Sequence, residues 1–261
     1  MLATAIIAAH NEGGQLKTAF DSVVRGFESA VFSLSMNSHK GRRLQVLFVL
    51  DRADATTEET VSDIQEATRS DGGFSVIESI DVIRTNYGEP GSARNDGVLA
   101  ARGDVVIVMD GDDLVGRSFV TQGILAILDN RANPSRNGIV CHPEYLYYFG
   151  EKALIWKQPY WNEYLTNYAS LLHTNLWDVT MIAARALLAD NPFLPSSISA
   201  GSGYEDWEWC LYTAGRGIEH RVMPNTIAYK RAKPNGRFIR DSRNDVLIDT
   251  SRARSAIHLV R

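Results

Sequence analysis

The sequence is poor in cysteine and contains no long apolar run. Only two cysteines, Cys141 and Cys210, occur in 261 residues, which excludes a disulfide framework or a cysteine-rich zinc site, and we expect both to be reduced core residues. No stretch approaches the roughly 20 apolar residues that span a bilayer, and no basic leader precedes the first apolar segment. We therefore expect a cytoplasmic protein that can also lie at the inner face of the cell membrane.

An excess of charge of one sign is also lacking. The formal net charge is -4 and the sequence pI is about 5.9, which argues against a general nucleic-acid binder. The charge is uneven, however, because residues 230–254 contain eight Lys or Arg against three Asp. We expect this basic segment to form a local anion site or to dock on an anionic membrane surface. With 44% hydrophobic residues, the chain can bury the core of one large domain or of two fused halves.

Strand and helix patterns alternate along the first half of the chain. Short apolar runs are typical of buried strands, and apolar residues at helical spacing predict helices. The predicted strands lie at 4–9, 44–50, 75–83 and 105–109, and the predicted helices lie between the first two strands and at 56–69 and 93–101. In the second half we predict a helix over 181–189 and another after Gly203. This alternation predicts an α/β fold with a mostly parallel central sheet flanked by helices on both faces.

Polar side chains follow three of the predicted strands. They are His10-Asn11-Glu12, Asp51 and the run Asp110-Gly111-Asp112-Asp113. Ligands bind outside the carboxyl ends of the strands in open parallel sheets. We therefore expect these residues to face one ligand site.

The run from Asp110 to Asp113 places three carboxylates in four residues. Like charges so close repel one another unless a cation neutralises them, and hard oxygen ligands suit Mg²⁺ or Mn²⁺. Such an ion takes one or two protein carboxylates and completes its shell with substrate phosphates and water. The alternative is an acidic turn in which Asp113 caps the following helix. The motif alone does not decide between the two interpretations.

A second acidic pair, Glu205-Asp206, opens the predicted helix after Gly203. Trp207 and Leu211 share one face of that helix and are expected to pack inward, which leaves Asp206 in the first turn beside that face. A carboxylate at a helix start is favoured electrostatically whatever its role. The pair is therefore either catalytic or an ordinary acidic helix terminus.

Four segments of the chain together resemble one enzyme family. They read AHNEG, DRADATTEET, NYGEPGSARNDGVLAARGDVVIVMDGDD and GYEDWEW, in this order. They are similar to motifs of the inverting nucleotide-sugar glycosyltransferases of family 2, which have the GT-A fold, and the resemblance runs from about Ala3 to Lys233. It implies transfer of a sugar from a nucleoside-diphosphate sugar, most simply a UDP-sugar, to a hydroxyl of a glycan or lipid-linked saccharide. The implied cofactor is Mn²⁺ or Mg²⁺, and the implied role is surface polysaccharide biosynthesis.

The resemblance also implies roles for individual residues. Asp206 is the expected general base, with Glu205 as the competing candidate, and Asp112 with Asp110 is expected to hold the metal ion. The expected contacts to the nucleotide sugar come from His10, Glu12, Asp51, Gly88, Arg94, Asn95, Asp110, Asp112 and Arg231.

Two further parts of the expected site remain open. His142 and His220 are candidates to complete the metal shell. The glycine-rich segment from Gly91 to Asn95 opens a helix whose N-terminal end favours an anion.

The resemblance divides the chain into a single domain over 1–233 and a basic C-terminal tail over 234–261. Residues 1–115 are expected to bind the nucleotide sugar and residues 116–233 the acceptor, with a further domain or partner protein to present a lipid-linked acceptor and with no nucleic acid as partner. Two other functions stay open: a catalytically silent carbohydrate-binding or assembly domain on the same fold, and a phosphatase with Asp110 as nucleophile.

Overall fold

A nine-stranded sheet forms the centre of the fold in the computed structural model of this chain. The structure describes residues 1–34, 41–70, 74–132, 138–161, 168–197, 201–234 and 247–252. The strands of the central sheet are β1 (Leu2–Ala9), β2 (Arg43–Asp51), β3 (Ile77–Thr85), β4 (Val105–Asp110), β5 (Leu114–Val115), β6 (Ile139–Gly150), β7 (Leu154–Lys157), β8 (Met181–Ala184) and β10 (Glu219–Ala232). Two short strands, β9 (Ser202–Gly203) and β11 (Leu247–Ile248), pair in a small second sheet.

Seven helices accompany the strands within the described ranges. They are α1 (Gln15–Leu34), α2 (Ala55–Ser70), α3 (Pro90–Ala100), α4 (Arg117–Arg131), α5 (Tyr168–His173), α6 (Arg185–Asp190) and α7 (Glu205–Gly215). No helix in the described part of the chain is long and apolar enough to cross a membrane.

The first half of the sheet is parallel, as the sequence predicts. The strand order is β3-β2-β1-β4-β8-β6-β10-β5, and the four strands β3, β2, β1 and β4 all run in the same direction. Alternate residues of β1 enter two hydrophobic clusters, since Ala5 and Ile7 join the cluster that contains α1 and α4 while Ile6 joins the one that contains α3 and α7. These strands read as continuous apolar runs because helices cover both faces.

The second half of the sheet mixes directions, which the strand patterns did not show. Strand β8 runs antiparallel to both β4 and β6, whereas β6 and β10 are parallel to each other. The helix predicted over 181–189 is wrong for its first four residues, which form β8 and leave α6 to begin at Arg185. Pairing with β4 and β6 satisfies the backbone of this apolar stretch, so the tertiary setting overrides the local pattern.

The short strand β5 positions the functional site. It follows the acidic run directly and pairs with the end of β10, Leu114 opposite Tyr229 and Val115 opposite Ala228. The residues that follow Tyr229 are thereby brought against the three aspartates, although more than 100 positions separate them in the sequence.

Candidate active site

The acidic run lies at the carboxyl end of β4, as predicted. Asp110 is the last residue of the strand, and Gly111 packs so closely that a Cβ there would lie 2.8 Å from Leu16 Cδ1. Asp112 and Asp113 are buried, with 9% and 2% of their surface exposed. The interpretation of Asp113 as a helix cap is wrong, because α4 begins after Gly116 without a side-chain cap.

Two lysines from the end of β10 neutralise these aspartates. Lys230 Nζ contacts the Asp113 carboxylate directly and lies 3.0 Å from Asp178 Oδ1 and 3.6 Å from Asp110 Oδ2. Burial opposes its charge, but the three carboxylates outweigh burial and raise the pKa of Lys230 well above its ordinary value. The repulsion anticipated from the sequence is therefore offset in large part by the chain's own cations.

The second lysine, Lys233, binds a different part of the acidic cluster. Its Nζ lies 2.7 Å from Asp112 Oδ2 and 3.2 Å from Glu12 Oε1. Arg231, which the sequence predicts to contact the nucleotide sugar, has an exposed side chain, and its backbone N–H donates to Asp113 Oδ1 at 3.0 Å. Strand alternation places Arg231 on the face opposite Lys230, because neighbouring residues of β10 point to opposite faces, and Lys233 lies beyond the last residue of the strand.

Arg94 joins the two halves of the site. Its guanidinium donates from Nη2 to Asp110 Oδ1 at 2.7 Å and from Nη1 to Glu205 Oε1 at 2.8 Å, and only 3% of the residue is exposed. Burial of Asp110 works against its charge, but Arg94 and then Lys230 hold the pKa of Asp110 well below its usual value. Arg94, predicted to meet the nucleotide, therefore connects the end of β4 to the start of α7.

Asp206, the predicted base, lies half-buried in the first turn of α7. Its Oδ1 accepts the Trp207 N–H at 2.8 Å, and its Oδ2 accepts from Asn175 Nδ2 at 3.1 Å. Burial, then the neighbouring charges of Glu205 and Asp178, raises the pKa of Asp206 to about 7. Glu205 is instead ion-paired with Arg94, so the two neighbouring carboxylates lie in different electrostatic environments.

Asp51 and His10 meet at the ends of β2 and β1. Asp51 accepts the backbone N–H groups of Tyr87 and Gly88, each at 2.7 Å, and the Thr85 hydroxyl at 2.9 Å. His10 Nδ1 lies 2.6 Å from the Asp51 carbonyl oxygen. Gly88 has φ +72°, a conformation that favours glycine, so Asp51 and Gly88 together fix the loop that precedes α3.

The start of α3 holds a carboxylate of the chain itself. Glu89 caps this helix by accepting the N–H groups of Gly91 and Ser92 at 2.9 and 2.8 Å. Asn95, predicted to approach the nucleotide, donates to the Phe193 carbonyl oxygen at 2.8 Å and accepts the Phe193 N–H at 2.9 Å. The place expected for an anion at this helix end is thus taken by Glu89.

The two candidate metal histidines lie in the core and bond each other. His142 Nε2 and His220 Nδ1 are 3.0 Å apart, and His220 Nε2 lies 2.9 Å from the Thr213 hydroxyl. Both rings stack on Trp177, with centroid distances of 5.5 and 4.5 Å. Within the described residues no group of three His, Cys, Asp or Glu side chains is arranged to hold a metal ion. Packing of each ring against its partner and Trp177 disfavours a ligand role for this histidine pair.

The buried histidine pair is expected to make the folded state less stable in acid. Burial lowers the pKa of His142 to about 3 and that of His220 well below its ordinary value, so both are neutral in the folded state and take up protons on unfolding below about pH 6.5. The free energy of unfolding should therefore fall by about 2 kcal/mol through His142 alone between pH 8 and pH 5. Urea titrations of the wild type and His142→Gln measure this contribution as the difference between their pH slopes.

The exposed His173 supplies the matched control. His173→Gln should keep the wild-type pH slope, because this exposed side chain lies outside the buried histidine pair. Equal slopes for wild type and His142→Gln would contradict the assignment of the acid sensitivity to the buried pair.

The described part of the basic segment turns toward the domain. Besides Lys230 and Lys233, Arg252 pairs with Glu208 on α7 at 2.5 Å and donates to the Pro192 carbonyl oxygen at 2.6 Å. Leu247 and Ile248 add β11 to β9. These cations are engaged by the protein's own carboxylates, which disfavours the expectation that they bind a membrane surface.

Both cysteines are buried and free, as predicted.

Comparisons with known proteins identify the family and the fold of this chain. The sequence model described as "Glycosyl transferase family 2" matches residues 4–185, which cover β1 to the first residue of α6. The chain belongs to glycosyl transferase family 2. No curated protein sequence matches it significantly.

Solved structures of other proteins share the fold of this family 2 chain. S. aureus TarS 1-349 in complex with UDP-GlcNAc has a TM-score of 0.63 and 16% identity, over 100% of this chain and 65% of TarS 1-349. The mannosyltransferase PcManGT from Pyrobaculum calidifontis, in complex with GDP-Man and Mn²⁺, has a TM-score of 0.58 and 13% identity, over 90% of this chain and 58% of its own. GalNAc-T7 with UDP, GalNAc and Mn²⁺ has a TM-score of 0.57 and 15% identity, over 90% of this chain and 45% of its own.

The predicted family and the GT-A fold are confirmed by these matches. The chain spans less than two thirds of the length of each of these structures. Two of these neighbours hold Mn²⁺, and all three hold a nucleotide or nucleotide sugar.

Proposed function

We propose that this protein is an inverting, metal-assisted glycosyltransferase that moves a sugar from a UDP-sugar to a hydroxyl of a glycan or lipid-linked saccharide in surface polysaccharide biosynthesis. One observation carries the proposal: Arg94 pairs both with Glu205, the residue next to the candidate base Asp206, and with Asp110 of the acidic run. Lys230, which also contacts Asp110, extends this cluster to Asp113 and Asp178. This connection supports a single cluster that contains both the candidate base and the candidate diphosphate-binding groups.

The donor set supports a divalent ion at the acidic run. Asp112, Asp110 and Glu12 provide hard carboxylate oxygens, and 31% of the Asp110 side chain is exposed. An ion of this kind needs only one or two of them, because substrate phosphates and water complete its shell. When bound, it would neutralise the charge on the departing diphosphate as a Lewis acid.

The proposed reaction is a single displacement in which this chain supplies the base. Asp206 takes the proton of the acceptor hydroxyl, whose oxygen forms a bond to the anomeric carbon of the donor sugar. The bond from that carbon to the diphosphate oxygen breaks on the opposite face, and its electron pair leaves with the nucleoside diphosphate. Attack from the face opposite the leaving group inverts the anomeric configuration. Asn175 orients the base through its bond to Asp206 Oδ2.

Asp51 and His10 then form the proposed nucleotide end of the site. Asp51 holds the loop over 85–88 in place while His10, exposed beside it, offers an imidazole face for stacking on a base. Arg94 acts on the nucleotide indirectly, by fixing Asp110.

A thermal-shift panel tests the donor class. UDP, GDP, dTDP and CMP are added with and without Mn²⁺ to the wild type and Asp112→Ala. A ligand at ~100 times its dissociation constant adds roughly 2.7 kcal/mol to the free energy of unfolding if it binds only the folded state. We expect UDP with Mn²⁺ to stabilise the wild type and Asp112→Ala to lose that effect.

Either outcome of the panel is informative. Stabilisation by another nucleotide would change the proposed donor and keep the mechanism. No stabilisation by any of the four would contradict the proposal and favour a silent carbohydrate-binding domain on this fold.

A further inference from the structure

Two lysines share the acidic cluster in different settings. Lys230 is 12% exposed at its side chain and contacts Asp110, Asp113 and Asp178, so its charge is enclosed by carboxylates. Lys233 is 35% exposed at its side chain and contacts Asp112 and Glu12, whose side chains are each 10% exposed. One ammonium is therefore part of the interior, and the other lies at the rim of the same cluster.

The position of Lys233 has a direct consequence for cation binding. Its Nζ lies 2.7 Å from Asp112 Oδ2, so the ammonium hydrogen occupies the region around this oxygen that a metal ion would enter. A divalent ion bound to the same oxygen would also be repelled by the ammonium at this range. Lys233 and a metal ion therefore compete for the carboxylates of Asp112 and Glu12.

The side chain of Lys233 can leave without disturbing the fold. Lys233 follows Ala232, the last residue of β10, and its ammonium is carried by a flexible four-carbon stem with one face open to solvent. Lys230, by contrast, lies within β10, which pairs with β6. Its removal would leave buried carboxylates without a cation. Of these two lysines, only Lys233 both occupies the place of a metal ion at Asp112 and can move away into solvent.

We propose that Lys233 is a resident counter-cation of Asp112 and Glu12 that a divalent ion displaces on binding, and that the released ammonium then pairs with the donor diphosphate. The second half of this statement rests on the proposed function. The exchange makes metal binding weak without nucleotide and stronger with it, because the diphosphate gives the displaced ammonium a new partner. Lys233 thereby couples metal binding to donor binding.

Mn²⁺ titrations followed by electron paramagnetic resonance test the first half without any nucleotide. Lys233→Gln and Lys233→Met remove the competing charge, Lys233→Arg keeps it, and Lys157→Gln removes an exposed lysine that pairs with Glu144. Both neutral variants should bind Mn²⁺ about tenfold more tightly than the wild type, whereas Lys233→Arg and Lys157→Gln should stay within about twofold. Two neutral variants guard against a folding defect in one of them.

Opposite results would overturn the inference. They are unchanged or weaker Mn²⁺ binding in the neutral variants, or no Mn²⁺ bound by any form of the protein. Titrations repeated with saturating UDP test the coupling: the wild type should gain affinity for Mn²⁺, and Lys233→Gln should gain less. If UDP strengthens Mn²⁺ binding equally in both, the coupling through Lys233 is wrong. Failure of UDP to bind would refute the proposed donor while the nucleotide-free titration still decides the competition.

Discussion

Replacing Asp206 with Asn is expected to lower kcat by about 10²–10⁴-fold and to leave nucleoside-diphosphate binding unchanged. The Asn side chain keeps an oxygen for the Trp207 N–H but cannot accept the proton of the acceptor hydroxyl. The measurement is sugar transfer to a saccharide acceptor, together with UDP binding by calorimetry. Loss of turnover with intact nucleotide affinity would separate a base from a residue that only binds donor.

The pH dependence of the wild-type rate supplies a second test of the same residue. Burial and the charge of Glu205 raise the pKa of Asp206 to about 7, and a general base works only when it is deprotonated. The rate should therefore fall as the pH drops through about 7, with a slope of one proton, and stay level above it. A residual rate in Asp206→Asn should lack this step.

Glu205→Gln is the matched control for Asp206→Asn. Glu205 is ion-paired with the buried Arg94, so its replacement is expected to lower stability. The pH step of the remaining activity should persist but move to lower pH, because the charge of Glu205 no longer raises the pKa of Asp206. Should Glu205→Gln abolish the step while Asp206→Asn keeps it, the base would be Glu205 instead.

Replacing Lys230 with Met is expected to destabilise the fold by about 3–5 kcal/mol. The ammonium lies among the carboxylates of Asp113, Asp178 and Asp110. Met fills much of the space but leaves the buried carboxylates of Asp113 and Asp178 without this cation, whereas Asp110 keeps Arg94. Urea unfolding measures the effect as a fall in midpoint at an unchanged m-value.

Two further variants sharpen the Lys230 experiment. Lys157→Met removes an exposed lysine, 51% exposed at its side chain, and should change stability by no more than about 0.5 kcal/mol. The double variant Lys230→Met with Asp113→Asn should recover part of the lost free energy of unfolding, because it removes one of the carboxylates left without a cation. A Lys230→Met protein as stable as Lys157→Met would show that Lys230 does not neutralise the cluster.

Local sequence patterns predicted the first half of the fold well. Strands β1, β2 and β4 and helix α2 lie within about two residues of their predicted bounds, because continuous apolar runs and helical spacing report burial directly. Strand β3 is displaced by two residues, and α3 begins three residues early at Pro90, where Glu89 caps it. The apolar stretch at β8 was assigned to a helix, since a short run of this kind is ambiguous without its neighbours.

The sequence by itself determined the α/β architecture, the acidic run at the end of β4 and the carboxylates that open α7. These features are local, because strand ends and helix starts follow from the order of apolar and polar residues. The partners of those carboxylates were decided only by the tertiary structure. Pairing of β10 with β5 and β6 brings Lys230 and Lys233 to Asp113 and Asp112, and no periodicity encodes contacts between residues more than 100 positions apart.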